Sequence, residues 1–429
     1  MKNEKIVSID LGSAYTKVAL RTGWNTETEL VHDGALASRE ATFCIPSLVA
    51  CVKRGGRENW LIGAAAANQI PGEGVRIYEN WKAGLFGLHS SLTPEESRLA
   101  ASQFFGSLRH NLSLGELWDD LDDLPLRICI PKLGDGNLSE GAIVQILEDA
   151  GWQCAKGRAT VYEPESNAMG VLTRARNVTW VPPYEDFRPW LGRSVHLPRM
   201  LEPGLRRAFR NWATGNPYSV LVIDVGAFTT DFGHALFDTS FWTDEWNKPT
   251  INQQSVELGI RDLDREVRTQ LSPEVQAVVE KTRPVDWELN KAGLYSGTEM
   301  AFRNPDGGMI VAGKGSEGDA IKKAVEAFAH RVVQARREFC DAHRLVKIDA
   351  QILTGGGAMI SGLRHVVTTR GGTERASTIH DLLDEDEPRR VVPKRDGQDD
   401  ERAIEDRGRQ NRELVRGGSA IGGCSVFFE

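Results

Sequence analysis

Cysteine is scarce in this sequence, and its spacing does not fit a metal site or a disulfide framework. The 429 residues include six cysteines, none of them in a Cys-x-x-Cys pair. A scattered set of this kind is typical of thiols in a reducing compartment and argues against zinc and disulfide bonds. No run approaches the roughly eighteen apolar residues of a membrane helix, and the N-terminus lacks the apolar core of a signal peptide. We therefore expect a cytoplasmic protein without a membrane partner.

An excess of positive charge is also missing. The formal net charge is −8, which argues against a protein that mainly binds nucleic acid, although not against a local basic patch. The hydrophobic content of 40% and the charged content of 26% are ordinary for a globular protein. At this length the chain can form two or more domains with a substantial core.

Two similar hairpin patterns stand out. Ser219–Phe237 reads SVLVIDVGAFTTDFGHALF, an apolar run ending at Asp224, a glycine turn with two threonines, and a second apolar run. Lys5–Leu20, KIVSIDLGSAYTKVAL, is a near copy with its acid at Asp10. Each pattern predicts a β-hairpin whose turn gathers a glycine, hydroxyls and a carboxylate. Two such hairpins suggest a duplicated fold, with one half per hairpin.

The pattern between and after the hairpins predicts an α/β protein. Leu126–Pro131 and Ala159–Tyr162 read as short strands on either side of an amphipathic helix, which implies a right-handed crossover. Glu317–Phe339 reads as a long amphipathic helix. Asp349–Leu353 reads as a strand that stops at a Gly-Gly-Gly turn before another helix.

The three glycine turns suit one chemistry. A turn without bulky side chains lets backbone N–H groups approach phosphate oxygens, and a helix start after such a turn favours a nucleotide. The hydroxyls of Ser13, Thr16 and the two threonines of the second turn add donors. Because Asp10 and Asp224 would repel phosphates, they predict an intervening Mg²⁺ held partly through water. One Asp-x-Gly hairpin is weak evidence, but two with a strand-GGG-helix are much stronger.

Together these motifs resemble the superfamily of actin, sugar kinases and heat-shock chaperone ATPases, and most closely the ATPase domain of DnaK-type chaperones. The resemblance covers most of residues 4–423 and implies a two-lobed actin-like ATPase fold with tandem ribonuclease H-like domains. The matching segments are IDLGSAYTKV, VIDVGAFTTDFG, LTGGGAMISGL, YEPESNAMG, GIRDLD and VRGGSAIGG.

The resemblance also implies roles for individual residues with ATP or ADP and Mg²⁺ as ligands. Asp10 and Asp224 would hold Mg²⁺ through water, and Asp224 or Glu163 would orient the attacking water, with Thr229 completing the catalytic set. The nucleotide-binding residues would be Gly12, Ser13, Ala14, Tyr15 and Lys17 at the first turn, Gly226, Ala227, Phe228 and Thr229 at the second, Glu288 and Lys291 at the ribose and adenine, and Gly355, Gly356, Gly357, Ala358 and Met359 in the adenosine pocket.

Several positions depart from the chaperone pattern. Ala67 occupies the position of a chaperone lysine near the γ-phosphate, so the sequence predicts a loss of transition-state charge stabilisation. Lys17 could reach the phosphates instead, as in actin-type members, or face solvent. Ala227 and Phe228 replace glycines of the second turn, and Asn411 replaces an acid. The sequence ends at Glu429, so we expect no peptide-binding domain of the chaperone kind.

The resemblance and the composition also divide the chain. Residues 173–217 carry eight arginines, six prolines and three acids, a composition typical of a surface excursion. The alternative is a docking surface for a protein partner or client, or for a nucleic acid, although the segment has no recognisable nucleic-acid motif. The predicted regions are lobe I over 1–172 with a small subdomain over about 36–110, the basic aromatic insert 173–217, and lobe II over 218–429 with a small subdomain over about 262–316 and a charged, solvated loop over 384–412.

Three functions stay open within the superfamily. The first is a chaperone-like, Mg²⁺-dependent ATPase that acts as a nucleotide-controlled switch for a separate partner protein. The second is an actin-like filament former, and the third is a nucleotide-binding scaffold with little hydrolysis. Gly313–Gly318 fits a GxGxxG dinucleotide motif, but it lies far along the chain and leaves both hairpins unexplained. A sugar kinase is disfavoured because no sugar-site motif is evident.

Overall fold

The computed structural model describes the chain in several ranges. These are residues 5–22, 28–37, 41–88, 90–113, 121, 124–133, 140–178, 218–237, 250–303, 307–346, 348, 350–370, 379–380 and 412–425. Most of the basic insert 173–217, nearly all of the charged loop 384–412, and Asn411 lie outside the described residues. Our predictions for these segments therefore stay predictions.

The described residues alternate between strands and helices. The strands are β1 (Ile6–Leu11), β2 (Tyr15–Arg21), β3 (Glu29–Leu30), β4 (Ile45–Pro46), β5 (Val49–Arg54), β6 (Arg57–Ile62), β7 (Val75–Tyr78), β8 (Leu126–Ile130), β9 (Thr160–Tyr162), β10 (Tyr218–Val225), β11 (Thr230–Phe237), β12 (Thr250–Val256), β13 (Met300–Arg303), β14 (Met309–Ala312), β15 (Ala350–Thr354) and β16 (Ile379–His380). The helices are α1 (Gly63–Ala67), α2 (Trp81–Leu85), α3 (Pro94–Ser113), α4 (Glu140–Asp149), α5 (Glu163–Val178), α6 (Ile260–Gln270), α7 (Pro273–Val279), α8 (Pro284–Tyr295), α9 (Ser316–Ala342), α10 (Ser361–Arg370) and α11 (412–423), with a 3₁₀ turn over Gly356–Met359.

Two sheets repeat one strand order. The first runs β3-β2-β1-β8-β9, with β4 also on β2, and the second runs β12-β11-β10-β15-β16. In each sheet the central strand pairs antiparallel with its hairpin partner and parallel with the strand on its other side. The outer pairings repeat as well, antiparallel on the hairpin side and parallel on the other. The chain is thus an α/β protein in which one layout occurs twice, and both predicted hairpins are present.

Each sheet has its own hydrophobic core because its central strands are aliphatic on both faces. All six residues of β1 and all five of β8 are buried, as expected for parallel strands covered on both sides. The core of the second sheet includes β10, β15 and the inner face of α9, where Ile321, Val325 and Phe328 are buried. The helical periodicity predicted for α9 is therefore confirmed.

Two helices cross between the sheets. Helix α5 follows the last strand of the first sheet, yet Ala168, Met169 and Val171 belong to the core of the second. Helix α11 lies near the C-terminus, yet Ala420 and Ile421 pack with Ile6 and Ala19 of the first sheet. Each crossing helix therefore ties one sheet to the other.

Glycines let the crossing helices touch. A Cβ atom on Gly170 would lie 2.0 Å from the carbonyl oxygen of Gly418, and one on Gly422 would lie 1.6 Å from that of Ser166. Real Cβ atoms do not approach backbone oxygens so closely, so α5 and α11 can hold this separation only with glycine at these positions.

Smaller elements extend from each half. Strands β5, β6 and β7 form a three-stranded sheet near α1, α2 and α3, and β13 and β14 form a two-stranded sheet near α7 and α8. On helix α3, Phe104 and Leu108 are fully buried, whereas Leu99 is 41% exposed. Helix α5 continues to Val178 and so crosses the region boundary placed at 172/173. Of the helices described, none combines the length and hydropathy needed to cross a membrane.

Candidate functional site

The first glycine turn follows β1 directly. The amide of Gly12 donates to the carbonyl of Asp10 at 3.0 Å, and a Cβ atom on Gly12 would lie 2.1 Å from the carbonyl of Tyr15. Ser47 braces the turn from behind, since its hydroxyl donates to the carbonyl of Gly12 at 2.5 Å and its amide to that of Ala14 at 2.9 Å. A tight turn at this point therefore requires glycine.

The second glycine turn follows β10 and is braced by the start of α6. The amides of Ile260 and Arg261 donate to the carbonyls of Gly226 and Ala227 at 3.0 and 2.7 Å. The amide of Gly226 donates to the carbonyl of Thr229 at 2.8 Å. The GIRDLD motif thus serves to fix the second turn.

Both turns leave amide groups available. Within the described residues, the amides of Ser13 and Ala14 in the first turn and of Ala227 and Phe228 in the second make no hydrogen bond. The carbonyls of Gly12, Ala14 and Ala227 are occupied by donors behind the turns. Successive N–H groups of this kind favour an anion such as a phosphate.

Four acids and two lysines lie together at the two turns. Lys17 Nζ lies 2.9 Å from Asp10 Oδ2. Burial lowers the pKa of Lys17, but the charge of Asp10 raises it, and the net result is a raised pKa. Burial and the charge of Asp10 raise the pKa of Asp224 to about 7. Burial and the charges of Glu163 and Asp224 raise the pKa of Asp231 well above its usual value. The carboxyls of this acid cluster (Asp10, Glu163, Asp224 and Asp231) therefore act on one another.

Glu163 begins α5 and meets a buried lysine from a distant segment. Lys82 Nζ donates to Glu163 Oε1 at 2.5 Å, and Lys82 and Glu163 are 5% and 7% exposed. Burial raises the pKa of Glu163 despite this lysine. Glu165 is directed elsewhere and pairs with Arg158, so Glu163 and Glu165 do not form a carboxylate pair.

Asp224 joins the second turn to the Gly-Gly-Gly turn. A Cβ atom on Gly355, whose φ is +87°, would lie 2.1 Å from Asp224 Oδ1. Asn167 from α5 donates to Asp224 Oδ2 and, at 2.9 Å, to the hydroxyl of Thr354. A buried side chain from one crossing helix therefore holds the ends of β10 and β15 together.

The residues predicted for the ribose and adenine form a charged cluster. Lys291 Nζ lies 2.8 Å from Glu288 Oε2 and 3.3 Å from Asp264 Oδ2, and the hydroxyl of Tyr295 donates to Asp264 Oδ1 at 2.5 Å. Arg261 Nη1 lies 3.1 Å from Asp264 Oδ2. Burial opposes the charge on Asp264, but Lys291 and Arg261 lower its pKa overall. Glu288 and Lys291 thus pair with each other, and their contact with a ribose and adenine stays a prediction.

Some predicted residues use their side chains elsewhere. The ring of Tyr15 lies under Arg416 of α11, with 5.2 Å from the guanidinium carbon to the ring centroid, and packs against the small core around Ile6. Phe228 packs against the core of the first sheet, and Met359 packs against the core of the second. All three side chains are half-buried and make packing contacts within the fold.

Several residues of the site were not predicted from the sequence. Lys82 carried no motif, and only its burial and its contact with Glu163 reveal it. Asn167 stood inside the Glu-Pro segment without an assigned role. Asp231 was visible as the second acid of its hairpin, at a position that pairs directly with Asp224 across β10 and β11. Asp264 and Tyr295 lie on the separate helices α6 and α8, and sequence spacing alone does not show that they meet.

Asp10 and Asp224 are the side chains that would hold a divalent cation, in part through water. Among the residues described, no three His, Cys, Asp or Glu side chains lie close enough to hold a metal ion directly. Asp10 is a buried carboxylate and Asp224 a half-buried one, and their charges repel, which together with burial raises the pKa of Asp224. Mg²⁺ prefers one or two carboxylates together with water and phosphate oxygens.

Comparison with known proteins adds no relative. No protein-family model matches the sequence, and no curated protein matches it.

Proposed function

We propose that this chain is a cytoplasmic ATP-binding protein with a two-lobed, actin-like fold of tandem ribonuclease H-like domains. It hydrolyses ATP with Mg²⁺ and acts as a chaperone-like, nucleotide-controlled switch for a partner protein. One observation carries the proposal: the same strand order occurs twice, and the glycine turns after the equivalent central strands, β1 and β10, join their acids in one cluster.

The repeated layout supports a nucleotide between the halves. Because β1 and β10 hold the same place in their sheets, their turns are equivalent, and the fields of Asp10 and Asp224 act on each other. The free amides of both turns would hold phosphate oxygens from two sides. Gly355 abuts Asp224, so a nucleotide can extend from the acid cluster along the Gly355–Met359 turn.

The acids have distinct roles in this proposal. Asp10 and Asp224 would hold Mg²⁺ through water, where the ion would neutralise charge on the phosphates. Glu163, whose pKa burial raises, would orient the attacking water and accept its proton. Thr229 donates to Asp231 Oδ2 at 3.1 Å, so its hydroxyl is fixed beside the second turn.

Calorimetric titration of ATP and ADP into the full chain, with and without Mg²⁺, tests the proposal. We expect one nucleotide per chain and tighter binding with Mg²⁺. Turnover of ATP should fall in Asp10→Asn, whereas Asp286→Asn, in a surface ion pair with Arg283, should match the wild type. The absence of nucleotide binding by the wild type would overturn the proposal. Light scattering that rises with ATP and protein concentration would favour the filament-forming alternative.

A further inference from the structure

Lys82 is a buried lysine whose neighbours in the chain are held in place by packing and by a hydrogen bond. Its neighbour Trp81 is fully buried, donates from Nε1 to the carbonyl of Ser47 at 2.9 Å and packs against Phe104 and Phe105. Asn80, just before α2, has a φ of +60°, which is uncommon for a residue other than glycine. The chain therefore turns sharply so that both Trp81 and Lys82 enter the interior.

A buried ammonium group is costly unless it meets negative charge. Lys82 is 5% exposed and meets Glu163 at 2.5 Å. Its charge also lowers the pKa of Asp224 and of Asp231, although burial raises both. Lys82 therefore acts on Glu163, Asp224 and Asp231 rather than on one partner alone.

The position of Lys82 relative to the three turns is specific. The Gly355–Met359 turn follows β15, the second phosphate turn follows β10, and Asp231 lies on β11, so these features are met in this order across the second sheet. The charge of Lys82 acts on the carboxyls of Asp224, Asp231 and Glu163, which lie at the second turn and at the start of α5. A nucleotide whose base lies at the Gly355–Met359 turn would thus bring its last phosphate nearest to this lysine.

The cluster also has too little positive charge of its own. Four acids face two lysines, Lys17 and Lys82, whose charges act on them. Lys17 belongs to the first hairpin and is held by Asp10 at 2.9 Å. Ala67, where the family resemblance predicts a cation, is a buried alanine in α1 and supplies none.

We propose that Lys82 contacts the terminal phosphate of bound ATP and supplies the positive charge that position 67 lacks. This inference rests on the proposed ATP site and adds a residue from α2 to it. Lys82 would then divide its contacts between Glu163 and the phosphate, and Glu163 would turn part of its hydrogen bonding to the attacking water.

The test compares affinities for ATP and ADP, each with Mg²⁺, by calorimetric titration. In Lys82→Met we expect ATP affinity to fall by at least about tenfold, the loss of one hydrogen bond to a charged group. ADP affinity should stay within about twofold by the same reasoning, because ADP lacks the phosphate concerned. Lys82→Arg should retain most of the preference for ATP. Lys53→Met, at an exposed pair with Glu58, is the matched control.

Removing Lys82 alone leaves Glu163 buried without a partner, which could unfold the chain. The double variant Lys82→Met/Glu163→Gln, compared with Glu163→Gln alone, carries the same test with a neutral pair. If the wild type binds both nucleotides and Lys82→Met weakens them equally or not at all, the assignment of Lys82 is overturned while the ATP site stands. If the wild type binds neither nucleotide, the proposed function fails and the assignment fails with it.

Discussion

The acid cluster makes a prediction about stability that needs no ligand. The folded-state pKa of Asp224 is about 7, against 3.8 in an unperturbed aspartate, because of burial and the charge of Asp10. The folded chain thus binds this proton more tightly than the unfolded chain. The contribution of Asp224 to stability is therefore largest at low pH, and it is lost as the pH rises from about 4 to about 7.

The size of this effect follows from the shift. Each pKa unit corresponds to about 1.4 kcal/mol, so the free energy of unfolding could fall by about 2 kcal/mol between pH 5.5 and 7. Asp224 is only half-buried, and solvent screening reduces such effects, so we expect about 1 kcal/mol. The Asp224→Asn variant lacks this titration, and its loss also relieves the repulsion on Asp231.

Urea unfolding followed by tryptophan fluorescence at pH 5.5, 6.5, 7.5 and 8 measures the effect without nucleotide. The difference in free energy of unfolding between wild type and Asp224→Asn should change with pH up to about 7 and then level off. At pH 8 we expect the variant to be the more stable of the two. Asp286→Asn should follow the wild-type pH dependence. Parallel curves for wild type and Asp224→Asn would refute the argument that Asp224 is buried beside a second negative charge.

Three further substitutions probe how the site is held. Asn167→Leu removes hydrogen bonds to Asp224 and Thr354 and should lower the free energy of unfolding by about 2 to 4 kcal/mol in urea denaturation; an effect below about 0.5 kcal/mol would show that these bonds do not form. Gly422→Ala places a Cβ atom on the backbone of α5 and should lower the melting temperature, whereas Gly106→Ala in α3, with open space around it, should leave it equal or higher; equal behaviour of the two variants would contradict the close helix crossing. Phe228→Ala shortens a half-buried contact with the core of the first sheet and should cost about 1 to 2 kcal/mol in the same denaturation assay; no loss would mean that the second turn does not pack there.

The sequence was most informative where one local pattern determined one element. The two hairpins were predictable because a β-branched run, a glycine turn and a second apolar run leave little choice of structure. The long helix α9 was predictable because its apolar residues recur with helical spacing over many turns. The Gly-Gly-Gly turn was also recognisable from a local pattern, a strand followed by three glycines and a helix. The structure shows that glycine is required there, since Gly355 has no room for a side chain beside Asp224.

Contacts between distant segments were not predictable. Lys82 and Glu163 are 81 residues apart, and no spacing rule connects them. Burial of a lysine is also the exception, so hydropathy would have placed Lys82 at the surface. Strand β12 was missed because TINQQSV is polar, although β11 supplies a full set of partners for it. In each case the tertiary environment, rather than local preference, decided the outcome.

The central claim is that three glycine turns from two halves of the chain form a single nucleotide site. Hydrogen–deuterium exchange of the full chain, with and without ATP and Mg²⁺, tests it most directly. We predict simultaneous protection of peptides covering residues 9–17, 224–231 and 354–360, at ATP concentrations that saturate the calorimetric binding. Protection confined to other segments, or no change at all under those conditions, would contradict the account.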